Sequence, residues 1–203
     1  MKKIKLGPKP LLYPMPPILV GAIVNGKPNY MTCSWNGLAG YKPPTIVIAM
    51  REVRYTMKGI KENGTFSVNI PSSGMYKETD FCGIYSGSKK DKSHIFQTFF
   101  GNLDTVPLIE ECPLNLECKA VNYLNTGSHI LIIGEIIETY INKDCMTDGK
   151  ADAEKIDPLI YLTATMRYHR LGDFIAKAFS VGREQEDIRD NETILTYVQG
   201  RDK

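Results

Sequence analysis

Ile18-Leu19-Val20-Gly21-Ala22-Ile23-Val24 runs directly into Asn25-Gly26, and this stretch decides the fold. The run before the asparagine is apolar and rich in β-branched side chains, a composition typical of a strand. Asn-Gly tolerates the positive φ angles of a tight two-residue turn, so the chain is expected to reverse and pair with itself. The stretch therefore predicts a strand, a hairpin turn and a second, antiparallel strand.

Other strand patterns follow along the chain. Thr45–Met50 comes after Pro43-Pro44 and is apolar throughout, which predicts a central strand covered on both faces. Alternating or long apolar runs predict four more strands, at 65–70, 114–120, 129–141 and 159–164. Within the third of these, Gly134 suggests a bulge or bend.

The connections between these strands decide how they pair. One short helix is expected between Thr56, a candidate N-cap, and Gly64, a candidate C-terminal stop. The remaining connections have turn or loop composition, so successive strands should pair antiparallel in a closed or partly closed barrel. We expect a mainly β protein with a few helices and a single domain over 1–203. Its polar tail, from about 183 to 203, is either a solvated helix or an arm on a partner subunit.

Composition excludes several classes of function. The 25 basic and 23 acidic residues nearly cancel, which does not favour binding to nucleic acid or to an anionic membrane. The five cysteines lack CxxC or Cys/His spacing, so neither a metal site nor a disulfide framework is expected. Prolines interrupt the apolar start, and no apolar run approaches the roughly 20 residues of a spanning helix. We therefore expect a cytoplasmic protein with free thiols.

The GxSxG, P-loop, HExxH and GxGxxG signatures are absent from the sequence. The candidate binding residues lie instead in three segments at predicted strand ends. Segment 29–37 holds small hydroxyl residues beside the only tryptophan, Trp35, which suits a ligand that is polar at one end and flat at the other. A core tryptophan beside a polar turn is the alternative. No residue is assigned a catalytic role.

The other two segments are basic. Segment 50–56 carries Arg51 and Arg54 at a helix start, where free backbone amides and the helix dipole both favour phosphate. Segment 80–92 combines glycines, hydroxyls and three lysines, and such a loop can approach a phosphate closely. Each segment is also consistent with solvated surface, and none is specific alone.

In sequence order, these segments form a longer series of motifs. The series comprises Tyr13-Pro14-Met15-Pro16, 29–35, Pro43-Pro44 before 47–49, Arg51, Arg54-Tyr55-Thr56, 63–71, Ser86-Gly87, Asp91-Lys92, Tyr168, Leu171-Gly172 and 178–182. It resembles the FMN-binding split-barrel family, in its flavoredoxin-like flavin reductase branch. The resemblance implies a Greek-key antiparallel split barrel and a homodimer with FMN at its interface.

The resemblance also implies cofactor-binding roles for particular residues. It implies that Thr32, Cys33, Ser34 and Trp35 lie along the ring and ribityl chain of FMN. It implies that FMN is contacted at the strand end by Ala49, Met50 and Arg51, and at the ribityl and phosphate end by Arg54, Tyr55 and Thr56. It implies that Ser86, Gly87 and Lys92 close over the phosphate, and that Asn29 and Tyr168 lie near the ring edge.

By the same resemblance, the expected function is redox chemistry. Electrons would pass from NADH, NADPH or a protein donor through FMN to flavin or another acceptor. The alternatives are a flavoredoxin-type carrier that serves a redox protein partner without turning over a small substrate, and a barrel that binds a planar ligand without redox chemistry. Cys33 and Cys82 fall in the implicated segments, where each is either a redox thiol or a small buried hydrophobe.

Overall fold

The computed structural model describes residues 1–184. Its main strands are β1 (Ile18–Val24), β2 (Lys27–Cys33), β3 (Asn36–Gly40), β4 (Thr45–Met50), β5 (Thr65–Ile70), β8 (Leu114–Asn125) and β9 (Ile130–Ile141). Shorter strands are β6 (Thr98–Phe99), β7 (Leu108–Ile109), β10 (Met146–Thr147), β11 (Lys150–Ala151), β12 (Ile160–Leu162) and β13 (Arg167–His169). The α-helices are α1 (Tyr55–Asn63), α2 (Tyr76–Ile84) and α3 (Ala153–Ile156), and 3-10 turns lie at Ser73–Met75, Lys143–Cys145 and Val181–Glu184.

The main strands form one antiparallel sheet in the order β2-β1-β5-β8-β9-β4-β3. β1 and β2 are joined at Asn25 and Gly26, whose φ angles of 51° and 76° are those of the predicted turn. β2 and β3 end the order, so the sheet is open rather than closed. The prediction of a mainly β, antiparallel split barrel is confirmed.

The larger of two buried apolar clusters includes residues of this sheet and of α1, which packs against β1. Phe66, Ile48 and Ile132 are fully buried there, and Ile60 joins them from α1. Full burial of one such side chain is worth about 1.5–3 kcal/mol. Gly59 allows the close approach of α1, because a Cβ at this position would lie 2.2 Å from the carbonyl oxygen of Ile23.

The expectation that Thr45–Met50 is central and covered on both faces is wrong. In β4, Ile48 and Met50 are buried, whereas Val47 and Ala49 are only partly covered. The strand lies one place from the end of the sheet order, with β9 and β3 beside it. Its second face meets no complete layer within the described chain, which leaves an apolar surface on the protein.

The structure also corrects three local predictions. α1 begins after Arg54, and Thr56 lies inside its first turn rather than capping it; Gly64 ends the helix as predicted, with φ 66°. Asp80–Ile84 is the end of α2, not a loop, because the apolar residues of this helix do not share one face and gave no periodic signal. Gly134 pairs with Ala120, and of the two register shifts between β8 and β9 the one beside Gly134 has its extra residue, Val121, on β8.

The contact pattern divides the chain into Met1–Leu171 and a second unit that begins at Gly172. In the second unit, residues 172–184 contain one 3-10 turn and expose Phe174, Ile175 and Phe179. Residues 185–203, most of the predicted polar tail, lie outside the described part of the chain. Within residues 1–184, no helix has the length and apolar character needed to cross a membrane.

Candidate functional site

A small polar cavity brings the three predicted segments together. It lies between β2, the start of α1, the end of α2 and the loop that follows α2, and we call it the anion cavity. Its lining residues are Met31, Thr32, Arg54, Tyr55, Thr56, Cys82, Gly83, Tyr85, Ser86, Gly87 and Lys92. The cavity measures about 20 Å³, room for one water molecule, so a larger anion would lie at its mouth beside the exposed Arg54.

Lys92 is the unusual residue of this cavity, because its ammonium group is buried without a carboxylate. The residue is 2% exposed, and its Nζ donates to the carbonyl oxygens of Tyr85 at 3.0 Å and Cys82 at 3.4 Å. Burial lowers the pKa of Lys92, and the guanidinium of Arg54 lowers it further. Burying a charge without an opposite charge is costly.

Neither of these two cations has a carboxylate partner in the described residues. The ion pairs formed there are Lys27–Asp91, Lys61–Glu52 and Arg170–Asp157. The carbonyl groups at the end of α2 stabilise the ammonium of Lys92 through the helix dipole, but they carry no net charge. An anion bound between Arg54 and Lys92 would supply the missing negative charge.

Close packing of Gly87 holds the loop after α2 in place. A Cβ at Gly87 would lie 1.9 Å from Oδ1 of Asn29 and 2.7 Å from Cδ1 of Tyr55. Asn29 is itself buried and donates from Nδ2 to Oγ1 of Thr56 at 2.7 Å. The hydroxyl of Thr32 donates to the carbonyl oxygen of Thr79 in α2. The cavity therefore depends on a backbone contact that only glycine permits.

An apolar groove of about 490 Å³ lies over the uncovered face of β4. It is lined by Lys9, Pro10, Leu11, Leu12, Met15, Trp35, Asn36, Gly37, Val47, Ala49, Leu131 and Thr163. Trp35 is 40% exposed and stacks on His129, with ring centroids 4.7 Å apart and an angle of 24° between the planes. An aromatic wall over an apolar floor suits a flat ligand. The alternative of a core tryptophan is therefore wrong.

Two predicted site residues direct their side chains into the core. Because side chains alternate along β2, Thr32 lines the anion cavity while its neighbour Cys33 is buried. The thiol of Cys33 donates to the carbonyl oxygens of Trp35 and Ala49, both at 3.4 Å, and burial raises its pKa to about 11. Met50 is 2% exposed and packs in the same core. A thiol so protonated is a poor nucleophile.

Three further predicted residues lie outside both sites. Arg51 is exposed and Ser34 is partly buried, and neither lines the anion cavity or the apolar groove. Tyr168 in β13 donates its hydroxyl to Oδ1 of Asp80 at 3.0 Å and lines a separate cavity. Burial, and then the hydrogen bond to Asp80, raise the pKa of Tyr168.

His129 contacts the groove residue Trp35, and the sequence did not reveal this neighbour. It follows the turn between β8 and β9, and its Nδ1 lies 2.9 Å from the hydroxyl of Ser128. Its stacking partner Trp35 is distant in sequence, so no local pattern joins the two. Pairing of β4 with both β3 and β9 brings them together.

Comparison with known proteins gives the class to which this fold and site belong. Residues 11–171 match the family described as "Flavin reductase like domain", and this chain belongs to that family. A flavoredoxin structure from Methanosarcina acetivorans is 42% identical, with a TM-score of 0.88 over 91% of this chain and 99% of the other. Flavoredoxin of Desulfovibrio vulgaris (Miyazaki F) is 35% identical, with a TM-score of 0.83 over 90% and 100%.

The fold likeness extends to a more distant structure. An FMN-binding protein from Thermus thermophilus, solved with p-hydroxybenzaldehyde, has a TM-score of 0.75 over 87% of this chain and 99% of the other. Its sequence identity is 22%, so this likeness concerns the fold.

Proposed function

We propose that this chain binds FMN, with the phosphate at the mouth of the anion cavity and the ring in the apolar groove. The observation that carries the proposal is the buried ammonium of Lys92 beside Arg54, with no carboxylate partner for either in residues 1–184. A phosphate monoester carries nearly two negative charges at neutral pH and would complete this group. Family membership and likeness to two flavoredoxins support the choice of a flavin.

The residues present fit the phosphate end of FMN. Arg54 and Lys92 would neutralise it, and the hydroxyls of Thr56 and Ser86 line the same cavity as hydrogen-bonding groups. Gly87 keeps that wall close to Asn29 and Tyr55. When bound, FMN supplies two-electron redox chemistry; the protein binds it and sets its potential.

For the ring end, we propose that a second copy of the chain completes the site. Trp35, Val47, Ala49 and Leu131 leave an apolar surface that is only partly covered, and Leu38 on β3 is 82% exposed nearby in sequence. Such surfaces commonly mark protein interfaces. A homodimer in which each chain holds the phosphate and the partner covers the ring would use both the closed cavity and the open groove.

We further propose that the flavin-loaded protein is an oxidoreductase that takes electrons from NADH, NADPH or a protein donor and delivers them to flavin or another acceptor. The open groove beside Trp35 and His129 would admit a second flat molecule. A flavoredoxin-type carrier without small-substrate turnover would need the same phosphate cavity. The two differ only in whether a nicotinamide nucleotide reduces the bound flavin.

The experiment is an anaerobic titration of the FMN-loaded protein with NADH and with NADPH, followed by flavin absorbance. Stoichiometric bleaching within the dead time of manual mixing supports the oxidoreductase. Bleaching by dithionite alone supports the carrier. A protein that cannot be loaded with FMN, at any ratio of flavin to protein, contradicts both.

A further inference from the structure

The N-terminal segment supplies one wall of the apolar groove. Residues 9–12, which we call the strap, all line the groove. The chain that follows the strap is fixed to β12 and to the turn after it. Met15 and Tyr161 exchange backbone hydrogen bonds of 3.1 and 2.9 Å, and the backbone N–H of Ala164 donates to the hydroxyl of Tyr13 at 3.1 Å. The strap is therefore anchored on its C-terminal side.

The local sequence restricts the backbone at Lys9. Pro8 and Pro10 flank this lysine, and each proline has a fixed φ angle. A residue that precedes a proline is also kept out of the helical region by steric clash. The backbone N–H of Leu11 donates to the carbonyl oxygen of Lys9 at 2.8 Å, which closes a tight turn. The side chain of Lys9 therefore starts from a restricted position in the groove wall.

Lys9 brings a charge to a lining that is otherwise apolar or neutral. Among residues 1–184, the lining of the groove contains no other charged side chain. The ion pairs formed within the same residues do not include Lys9. Asn36, a polar neighbour in the lining, already donates from Nδ2 to the carbonyl oxygens of Pro16 at 2.9 Å and Cys33 at 3.1 Å. The ammonium group of Lys9 is thus available to a ligand in the groove.

We propose that Lys9 raises the redox potential of the bound flavin by stabilising its reduced form. The inference rests on the proposed function, which lays the ring in this groove. The oxidised ring is neutral, and uptake of two electrons and one proton makes it an anion, whose stability depends on nearby charges. The electrons come from the donor of the proposed function. An adjacent cation favours the charged form over the neutral one, and apolar surroundings strengthen the attraction.

The test measures the midpoint potential of the FMN-loaded protein under anaerobic conditions, with xanthine and xanthine oxidase as the reducing system and a reference dye. The variant is Lys9→Met, and Lys9→Arg keeps the charge. The matched control is Lys5→Met, because Lys5 is an exposed lysine of the same segment that does not line the groove. The dissociation constant of oxidised FMN is measured for each protein by fluorescence titration.

In Lys9→Met, we expect the affinity for reduced FMN to fall by roughly threefold to tenfold relative to oxidised FMN, which lowers the midpoint potential by about 15 to 30 mV. The affinity for oxidised FMN should change by less than about twofold, because the oxidised ring carries no charge. Lys9→Arg and Lys5→Met should keep the ratio of the two affinities within about 1.5-fold, or about 5 mV.

The contradicting outcomes separate this inference from the proposed function. An unchanged potential in Lys9→Met overturns the inference, and so does an equal loss of affinity for both redox states, which would make Lys9 only a part of the wall. An equal fall in Lys5→Met overturns it as well, since the effect would then be one of general charge. A potential in Lys9→Arg as low as in Lys9→Met also overturns it. A wild-type protein that cannot be loaded with FMN overturns the proposed function itself.

Discussion

The anion cavity and the apolar groove differ in how far one chain completes them. The anion cavity is narrow, its lysine is 2% exposed, and its wall depends on the packing of Gly87 against Asn29. The groove is about 490 Å³ and open, with Trp35 40% exposed. A charged group must be desolvated and held by fixed partners, whereas an apolar surface can be covered by any complementary surface. If the proposed function is right, phosphate recognition is therefore a property of one chain, and ring coverage depends on assembly.

The largest expected effect comes from closing the anion cavity. In Gly87→Val, the new side chain would overlap Asn29 and Tyr55, so the loop must move away from β2 and the start of α1, which changes the shape of the anion cavity. We expect the affinity for FMN to fall by roughly 100-fold and the free energy of unfolding to fall by about 1–3 kcal/mol. Flavin fluorescence titration and thermal melting measure the two effects.

The control for that variant is Gly74→Ala, where the nearest atom to a new Cβ lies at 3.7 Å. It is expected to retain FMN affinity within about threefold, since nothing needs to move. An unchanged FMN affinity in Gly87→Val would show that the loop after α2 does not shape the flavin site.

A smaller effect is expected from Arg54→Gln, because Lys92 remains. Loss of a charged hydrogen bond to phosphate costs about 1.5–3 kcal/mol, so FMN affinity should fall by roughly 10- to 100-fold while riboflavin affinity is unchanged. Arg51→Gln is the matched control variant, since Arg51 is exposed and lines neither the anion cavity nor the apolar groove. Equal losses in the two variants would mean that the guanidinium acts through general charge and not through contact.

Trp35→Ala tests the apolar groove. Its effect on affinity should be the same for phosphorylated and unphosphorylated flavin. Loss of an aromatic contact costs about 0.5–1.5 kcal/mol beyond its area, so FMN and riboflavin should both weaken, by roughly threefold to tenfold. Isothermal titration with each flavin measures this. A loss confined to FMN would mean that Trp35 serves the phosphate end, and the division between the two regions would fail.

The smallest effect is a pH dependence of FMN affinity. Burial lowers the pKa of Lys92, so its ammonium loses its proton at a lower pH than an ordinary lysine does, and attraction for the phosphate declines with it. The affinity should therefore fall as the pH rises towards the usual lysine pKa of about 10.4, with the fall beginning at a lower pH than an ordinary lysine would give. Lys92→Met should remove this slope. A wild-type affinity that stays flat across the range contradicts the role of the ammonium.

Sequence reasoning succeeded where a local signal existed. Asn25-Gly26 predicted the hairpin. Thr32, Arg54 and Lys92, for which the family resemblance implied a shared site, line one cavity. The alternation along β2 was available as well, and it would have separated Thr32 from the buried Cys33.

The features that sequence reasoning missed depend on contacts between distant segments. A lysine-rich loop predicts solvated lysines, and only the end of α2 shows that Lys92 is buried. The apolar residues of α2 do not share one face, so the sequence pattern did not predict this helix. The stack of Trp35 on His129 requires the order of strands in the sheet, which no pattern in either segment contains.

The most direct test of the account compares FMN with riboflavin in the wild-type protein and in Lys92→Met. The two flavins differ only in the phosphate, so the ratio of their dissociation constants isolates the anion cavity. We predict that the wild-type protein prefers FMN by roughly 100-fold and that Lys92→Met reduces this preference by at least about tenfold, with riboflavin affinity unchanged. Equal affinity for the two flavins in the wild-type protein would contradict the central claim.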